Sequence, residues 1–121
     1  MTTVDWLAAG YFPAILYRFD PFSFSLMTID QFTASLQDKT PPADLNPILK
    51  ALWHDARGEW AAAHNIAQLQ EGTPAYDHLH AYLHRKEGDT FNAGYWYRRA
   101  GQPVFKGTLK DEWQQLAGTY M

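Results

Sequence analysis

Leu49-Lys50-Ala51-Leu52-Trp53-His54-Asp55-Ala56-Arg57-Gly58-Glu59 and Leu79-His80-Ala81-Tyr82-Leu83-His84-Arg85-Lys86-Glu87-Gly88-Asp89 read as one stretch written twice, thirty residues apart. Leu49 answers to Leu79, Ala51 to Ala81, His54 to His84, Gly58 to Gly88 and Glu59 to Asp89, and beyond the glycine Ala63 answers to Ala93, all in one register. Periods of this size mark stacked supersecondary units, none of which buries its apolar face alone. The glycine falls between two stretches of helical spacing, where a left-handed turn lets the chain double back. The alanines let neighbouring backbones approach, and large aromatics fill the remaining gaps. Residues 48–101 are therefore expected to hold two helix-turn-helix units within an all-α fold of stacked antiparallel hairpins, about five to six helices in all.

Working outward, Ile48, Leu49, Leu52, Trp53 and Ala56 form the stripe of one helix. Asp44 is expected to cap it, with Pro47 in the first turn, where a missing N–H does no harm. Glu59 opens the next helix, with Trp60, Ala63, Ile66 and Ala67 on one side, running to Glu71-Gly72. Thr73-Pro74 opens its successor, which carries Tyr76, Leu79, Tyr82 and Leu83 inward and places His84-Arg85-Lys86 at the negative end of the helix dipole. Asp89 or Thr90 caps the following helix, which passes through Ala93, Trp96, Tyr97 and Ala100 to Gly101-Gln102-Pro103. Upstream, Thr28 and Gln31 make a capping box before Ile29, Phe32 and Leu36, and Thr40-Pro41-Pro42 stops that helix. Downstream, Thr108 with Asp111 starts a last helix, with Leu109, Trp113, Leu116 and Tyr120 in its stripe. A chain of 121 residues, 46% hydrophobic, suffices for one core and is short for two. It reads as a single domain, with the hairpins in 44–103 and a capping helix in 108–121. Residues 1–26, crowded with aromatics from Trp6 to Phe24, are either a lid on the helices or an extension ahead of a true start at Met27.

Gly88-Asp89-Thr90-Phe91-Asn92-Ala93-Gly94-Tyr95-Trp96-Tyr97-Arg98-Arg99-Ala100 resembles the second-helix signature of tetratricopeptide repeats, with Gly58-Glu59-Trp60 through Ala63 and Ala67 as a weaker copy. The resemblance covers roughly residues 48–103. It departs from that family in a shorter unit and in placing His54 and His84 where the family commonly has an aromatic. The run from Ala81 to Gly101 also looks like a family of small uncharacterised helical proteins sharing the pattern AYLHRKEGD..NA.YWYRRAG, a likeness that brings no activity with it. The tetratricopeptide resemblance implies a protein- or peptide-binding interaction module.

Charge and composition remove several function classes. A formal net charge of -3 offers no general attraction to nucleic acid or to an anionic membrane, so neither is expected as a partner. Cysteine is absent, which excludes disulfides, thiol nucleophiles and cysteine zinc sites. No apolar stretch is long enough to span a bilayer, and no basic start precedes the first apolar run, so a cytoplasmic address is expected. The three serines lie outside any nucleophile turn and no glycine loop cradles phosphate, so no cofactor is expected. Two units fall short of the three that such arrays usually need, and self-association would supply the missing neighbour.

Two constellations carry what chemistry there is. His80 and His84 are four residues apart on one helical face, the spacing at which two imidazoles bind zinc, and a third ligand would come from His54, His64, Asp55 or Glu87. A metal-assisted or acid-base enzyme using His80, His84 and Glu87 is the alternative to the interaction module. Glu87 with Asp89, helped by His84 or Arg85, would supply the acid-base pair. Against this, His54 and His84 hold equivalent places in the two copies, as packing or capping residues would, and His78 is expected in solvent. The second constellation is Arg85, Asn92, Tyr95, Arg98 and Arg99, joined by Tyr97 and His84. Arg and Tyr are favoured at binding hot spots, and these five are the expected partner-binding residues. Helical spacing groups Tyr95, Arg98 and Arg99 on one face and turns Ala93, Trp96 and Ala100 toward the core.

Overall fold

The computed structural model describes residues 27–121; the aromatic segment 1–26, with its two readings, lies outside them. Every regular element among the described residues is helical, in the order α1 (Ile29–Ala34), α2 (Pro47–Ala56), α3 (Trp60–Ala67), α4 (Pro74–Lys86), α5 (Thr90–Ala100) and α6 (Leu109–Tyr120). Turns of 3-10 helix at Ser35–Gln37 and Gln68–Gln70 extend α1 and α3. No described helix is long and apolar enough to cross a membrane.

Local chemistry sets most boundaries. Thr28 Oγ1 accepts from the Gln31 N–H at 3.0 Å while Gln31 Oε1 accepts from the Thr28 N–H at 2.9 Å, so the capping box of α1 is complete. Asp89 caps α5 and Thr108 caps α6, accepting from the amides of Asn92 and Asp111. At α2 the cap is Asn46, not Asp44. Pro47 occupies the first helical position and forces an extended residue before it, and Asn46, at ψ 161°, meets that demand while its Oδ1 accepts from Leu49 N. Asp44 sits two residues earlier in the left-handed region, at φ 68°.

The two hairpins turn in the same way. Gly58 N bonds Asp55 O and Glu59 N bonds His54 O; thirty residues on, Gly88 N bonds Arg85 O and Asp89 N bonds His84 O. Gly58 and Gly88 have φ of 81° and 89°, a conformation that costs other residues but not glycine. In this way α2 pairs with α3 and α4 with α5, and α3 packs on α4 to join the two hairpins.

Helix α4 is central. From Tyr76 to Leu83 every residue is buried, because α2, α3, α5 and α6 all pack on it. Helix α6 lies against α2 and α4, the first helices of both hairpins, with Trp113, Leu116 and Ala117 inward. Phe32 of α1 stacks on Trp113 at 5.6 Å. Three indole N–H groups cross between elements to backbone carbonyls: Trp53 to Ser35, Trp60 to Leu83 and Trp113 to Leu52.

Two buried carboxylates tie the layers. Asp55 accepts from Tyr82 Oη at 2.7 Å and from Lys86 Nζ at 2.9 Å. Glu112 accepts from Arg85 Nη1 at 2.8 Å and from the Tyr97 hydroxyl. Both of these carboxylates are thus paired and hydrogen-bonded, the condition under which burial is tolerated. Asp55 takes the buried place expected for Ala56, which is exposed, since Tyr82 and Lys86 lie on that side of α2.

Candidate metal centre

The imidazoles of His64, His80 and His84 converge. Their ligand nitrogens lie within 4.8 Å of one another, and Nε2 of His64 stands 3.0 Å from Nε2 of His80. His64 comes from α3, while His80 and His84 are one turn apart on α4, so the packing of α3 on α4 assembles the group. Of the third ligands open to the sequence, the structure selects His64. His54 lies at the other hairpin turn, where its Nδ1 meets Glu59 Oε1 at 2.7 Å.

Aromatic rings hold the three in place. The His80 ring is stacked between Trp96, at 4.0 Å between centroids, and His84, at 4.9 Å. Trp60 stacks on His64 at 4.7 Å and meets His84 edge-on. Trp60 is itself fixed by its indole bond to Leu83 O. His80 is 2% exposed, and its Nδ1 is buried with no hydrogen-bond partner among the described residues, so the ring's polar contact is made at Nε2. His64 and His84 are half-buried and form the outward rim.

Burial, reinforced by the neighbouring His64 and His84, pushes the His80 pKa down to about 4, and burial next to His84 lowers that of His64. Both rings are neutral at pH 7, with lone pairs free of proton competition, as metal ligation requires. The third ring is oriented by a carboxylate: His84 Nδ1–H donates to Glu87 Oε2 at 2.7 Å, which leaves the lone pair on Nε2. A carboxylate on the far nitrogen of a metal-bound histidine fixes its tautomer and raises its basicity. The donor set of three imidazoles, with no thiolate, suits a first-row ion such as zinc rather than magnesium or calcium.

The other expected residues separate. Arg85, on α4, turns toward α6, where it pairs with Glu112, donates to Gly107 O and lies 5.4 Å over the Phe105 ring. Tyr97 is wholly buried on Glu112. Asn92 bonds back to Asp89. Tyr95, Arg98 and Arg99 share the outer face of α5 as their spacing implies, with Arg99 Nη1 donating to Tyr95 Oη at 3.0 Å and Nε standing 3.9 Å from buried Asp77. His78, expected in solvent, is buried, because α6 covers it and brings Tyr120 Oη to 3.2 Å from its Nδ1. Asp89 and Glu87 do not act as a free acid-base pair: the first caps α5 and the second holds His84.

Two surface recesses exclude the histidine cluster. The larger, about 940 Å³, is lined by Met27, Gln31, Leu45 and Asn46; the other, about 280 Å³, by Asp55, Tyr82, Lys86 and Trp113. Trp60 and Trp96, the walls of the cluster, carry no signal of that role in the sequence beyond their helical offsets from His64 and Ala100. No protein-family model, curated protein or solved structure matches the chain.

Proposed function

We propose that this protein binds a divalent transition-metal ion, with zinc as the reference case, through His64, His80 and His84, with Glu87 positioning His84. The observation that carries the reading is the 3.0 Å approach of two imidazole Nε2 atoms with a third imidazole alongside. Two nitrogens on one tetrahedral zinc, each about 2.0–2.1 Å from it, stand roughly 3.4 Å apart. The cluster is therefore close to ligating geometry. A lone hydrogen bond between neutral rings would account for His64 and His80, but not for His84 stacked beside them and held by a carboxylate.

Calorimetric titration of the metal-free protein with zinc chloride tests it. One equivalent is expected to bind, and His64→Ala, His80→Ala and His84→Ala each weaken binding at least about tenfold. His54→Gln, at the equivalent turn, leaves binding unchanged. Binding that survives His80→Ala combined with His84→Ala, in protein still helical by circular dichroism, would sink the reading.

A second reading, the interaction module, draws support from the outer face of α5. Phe91 is 83% exposed and Tyr95 41% exposed beside Arg98, and large apolar side chains next to arginine are the makings of a protein-binding surface.

A further inference from the structure

We propose that the three-histidine centre is coordinatively open, its metal ion keeping one outward position for a water that ionises and attacks small carboxylic esters. This inference rests on the metal reading above and extends it from binding to chemistry.

Three observations lead to it. First, the donor set stops at three among the described residues. Closed structural zinc sites use four protein ligands, whereas sites with three keep a water. Among the described residues no carboxylate belongs to the three-histidine group. The nearest ones are engaged elsewhere: Glu87 Oε2 with His84 Nδ1, and Asp89 with the Asn92 amide and side chain at 3.1 and 2.6 Å. Second, burial is one-sided. His80 is buried beneath the ion's place, while His64 and His84 form the half-buried rim, so the remaining position faces outward. Third, the donors are imidazoles, which bring no negative charge to a metal, so the ion keeps its full double charge, which brings bound water from its bulk pKa to roughly 7. The charged groups around that position are Glu71 beyond α3, Glu87 and Asp89 at the α4–α5 turn, and Arg99 over the Trp96 ring of α5.

The step is hydrolytic. Metal-bound water gives one proton to solvent and becomes hydroxide. Its oxygen forms the new bond to the acyl carbon, and the carbonyl pair moves onto the carbonyl oxygen. That pair returns as the bond from the acyl carbon to the leaving oxygen breaks. The proton of the newly formed carboxylic acid passes, by way of water, to the leaving oxygen, and the carboxylate product departs in exchange for a fresh water. No oxidation occurs. Trp60 and Trp96 offer flat apolar walls for an acyl or aryl group of modest size.

Cobalt(II) loaded into the full chain reads the fourth position directly. The visible spectrum is expected to titrate with a single midpoint near pH 7 and to shift on adding azide. The zinc-loaded protein is expected to hydrolyse 4-nitrophenyl acetate with the same midpoint, at a rate that falls at least about tenfold in His80→Ala and is retained in His54→Gln. A cobalt spectrum that forms but ignores pH and azide shows a closed site and overturns the proposal while leaving the metal reading standing. A spectrum that titrates without ester hydrolysis above free zinc overturns the hydrolytic part. If no cobalt spectrum forms, the metal reading itself fails and takes this inference with it.

Discussion

His80 is where a helix interior meets a polar ring. Its neighbours Leu79 and Ala81 are fully buried, yet the side chain between them carries two nitrogens, of which one reaches only another imidazole. Removing a ring from water favours its neutral form, and that same neutrality suits it to hold a cation brought from outside. Glu87 acts on the centre through His84. Glu87→Gln keeps a hydrogen-bond acceptor but loses the charge, and zinc affinity measured by competition with a chromophoric chelator should fall about ten- to a hundredfold. Glu59→Gln, which alters the matching His54–Glu59 pair, should leave it unchanged; equal losses in both variants would show a general effect on the turns. His80 and His84 were legible because four residues place two side chains on one helical face. His64 was one name among four, since no helical period says which strand of a bundle faces which. The ion pair of Arg85 was not legible for a related reason: its Glu112 partner lies 27 residues away on another helix.

At the scale of elements, the starts of helices proved the most readable features. Caps are written within four residues, so the pairs at Thr28 and Thr108 could be found by inspection and the cap of α5 narrowed to Asp89 or Thr90, of which the structure uses Asp89. At α2 the proline outweighs the acidic residue: Pro47 dictates that its own predecessor be extended, so the cap falls on Asn46 and not on Asp44. Faces were harder. His78 falls on the side that a two-sided helix leaves in solvent, but α4 has no free side along its middle. Helix α5, by contrast, keeps an outer face. Phe91→Ala combined with Arg98→Glu should leave the melting temperature within a few degrees, because neither side chain is buried. If that face binds another protein, the pair of changes should abolish co-elution with it in size-exclusion chromatography; unaltered complex formation would exclude the face. Arg99 is the wrong residue for such a test, since its loss also strips buried Asp77 of its nearest cation.

For the molecule as a whole, acid should act through its histidines. His64, His78 and His80 are all held below the ordinary value of 6.5 chiefly by burial. At pH above about 6.5 neither the folded nor the unfolded chain protonates them, and they cost nothing. As pH falls below that, the unfolded chain takes up protons that the folded one refuses, so stability is lost, for His80 over the whole span down to about 4. Melting curves of the metal-free protein should therefore drop between pH 7 and 5. Zinc at a hundred times its dissociation constant should raise the melting temperature at pH 7 on the order of 10 °C. A melting temperature indifferent to both would contradict the burial of these rings. The helical class and the hairpin turns were readable because glycine, alanine and apolar spacing are local facts; the crossing of α6 over α2 and α4 was not, because it depends on how two distant stripes meet. The three indole bonds that join these layers have a further use. Trp53, Trp60 and Trp113 each place one N–H proton at a different junction, between the α1 turn and α2, between α3 and α4, and between α2 and α6. In a nuclear magnetic resonance spectrum these protons are a native set of gauges: the order in which they exchange with deuterated solvent gives the order in which the junctions open.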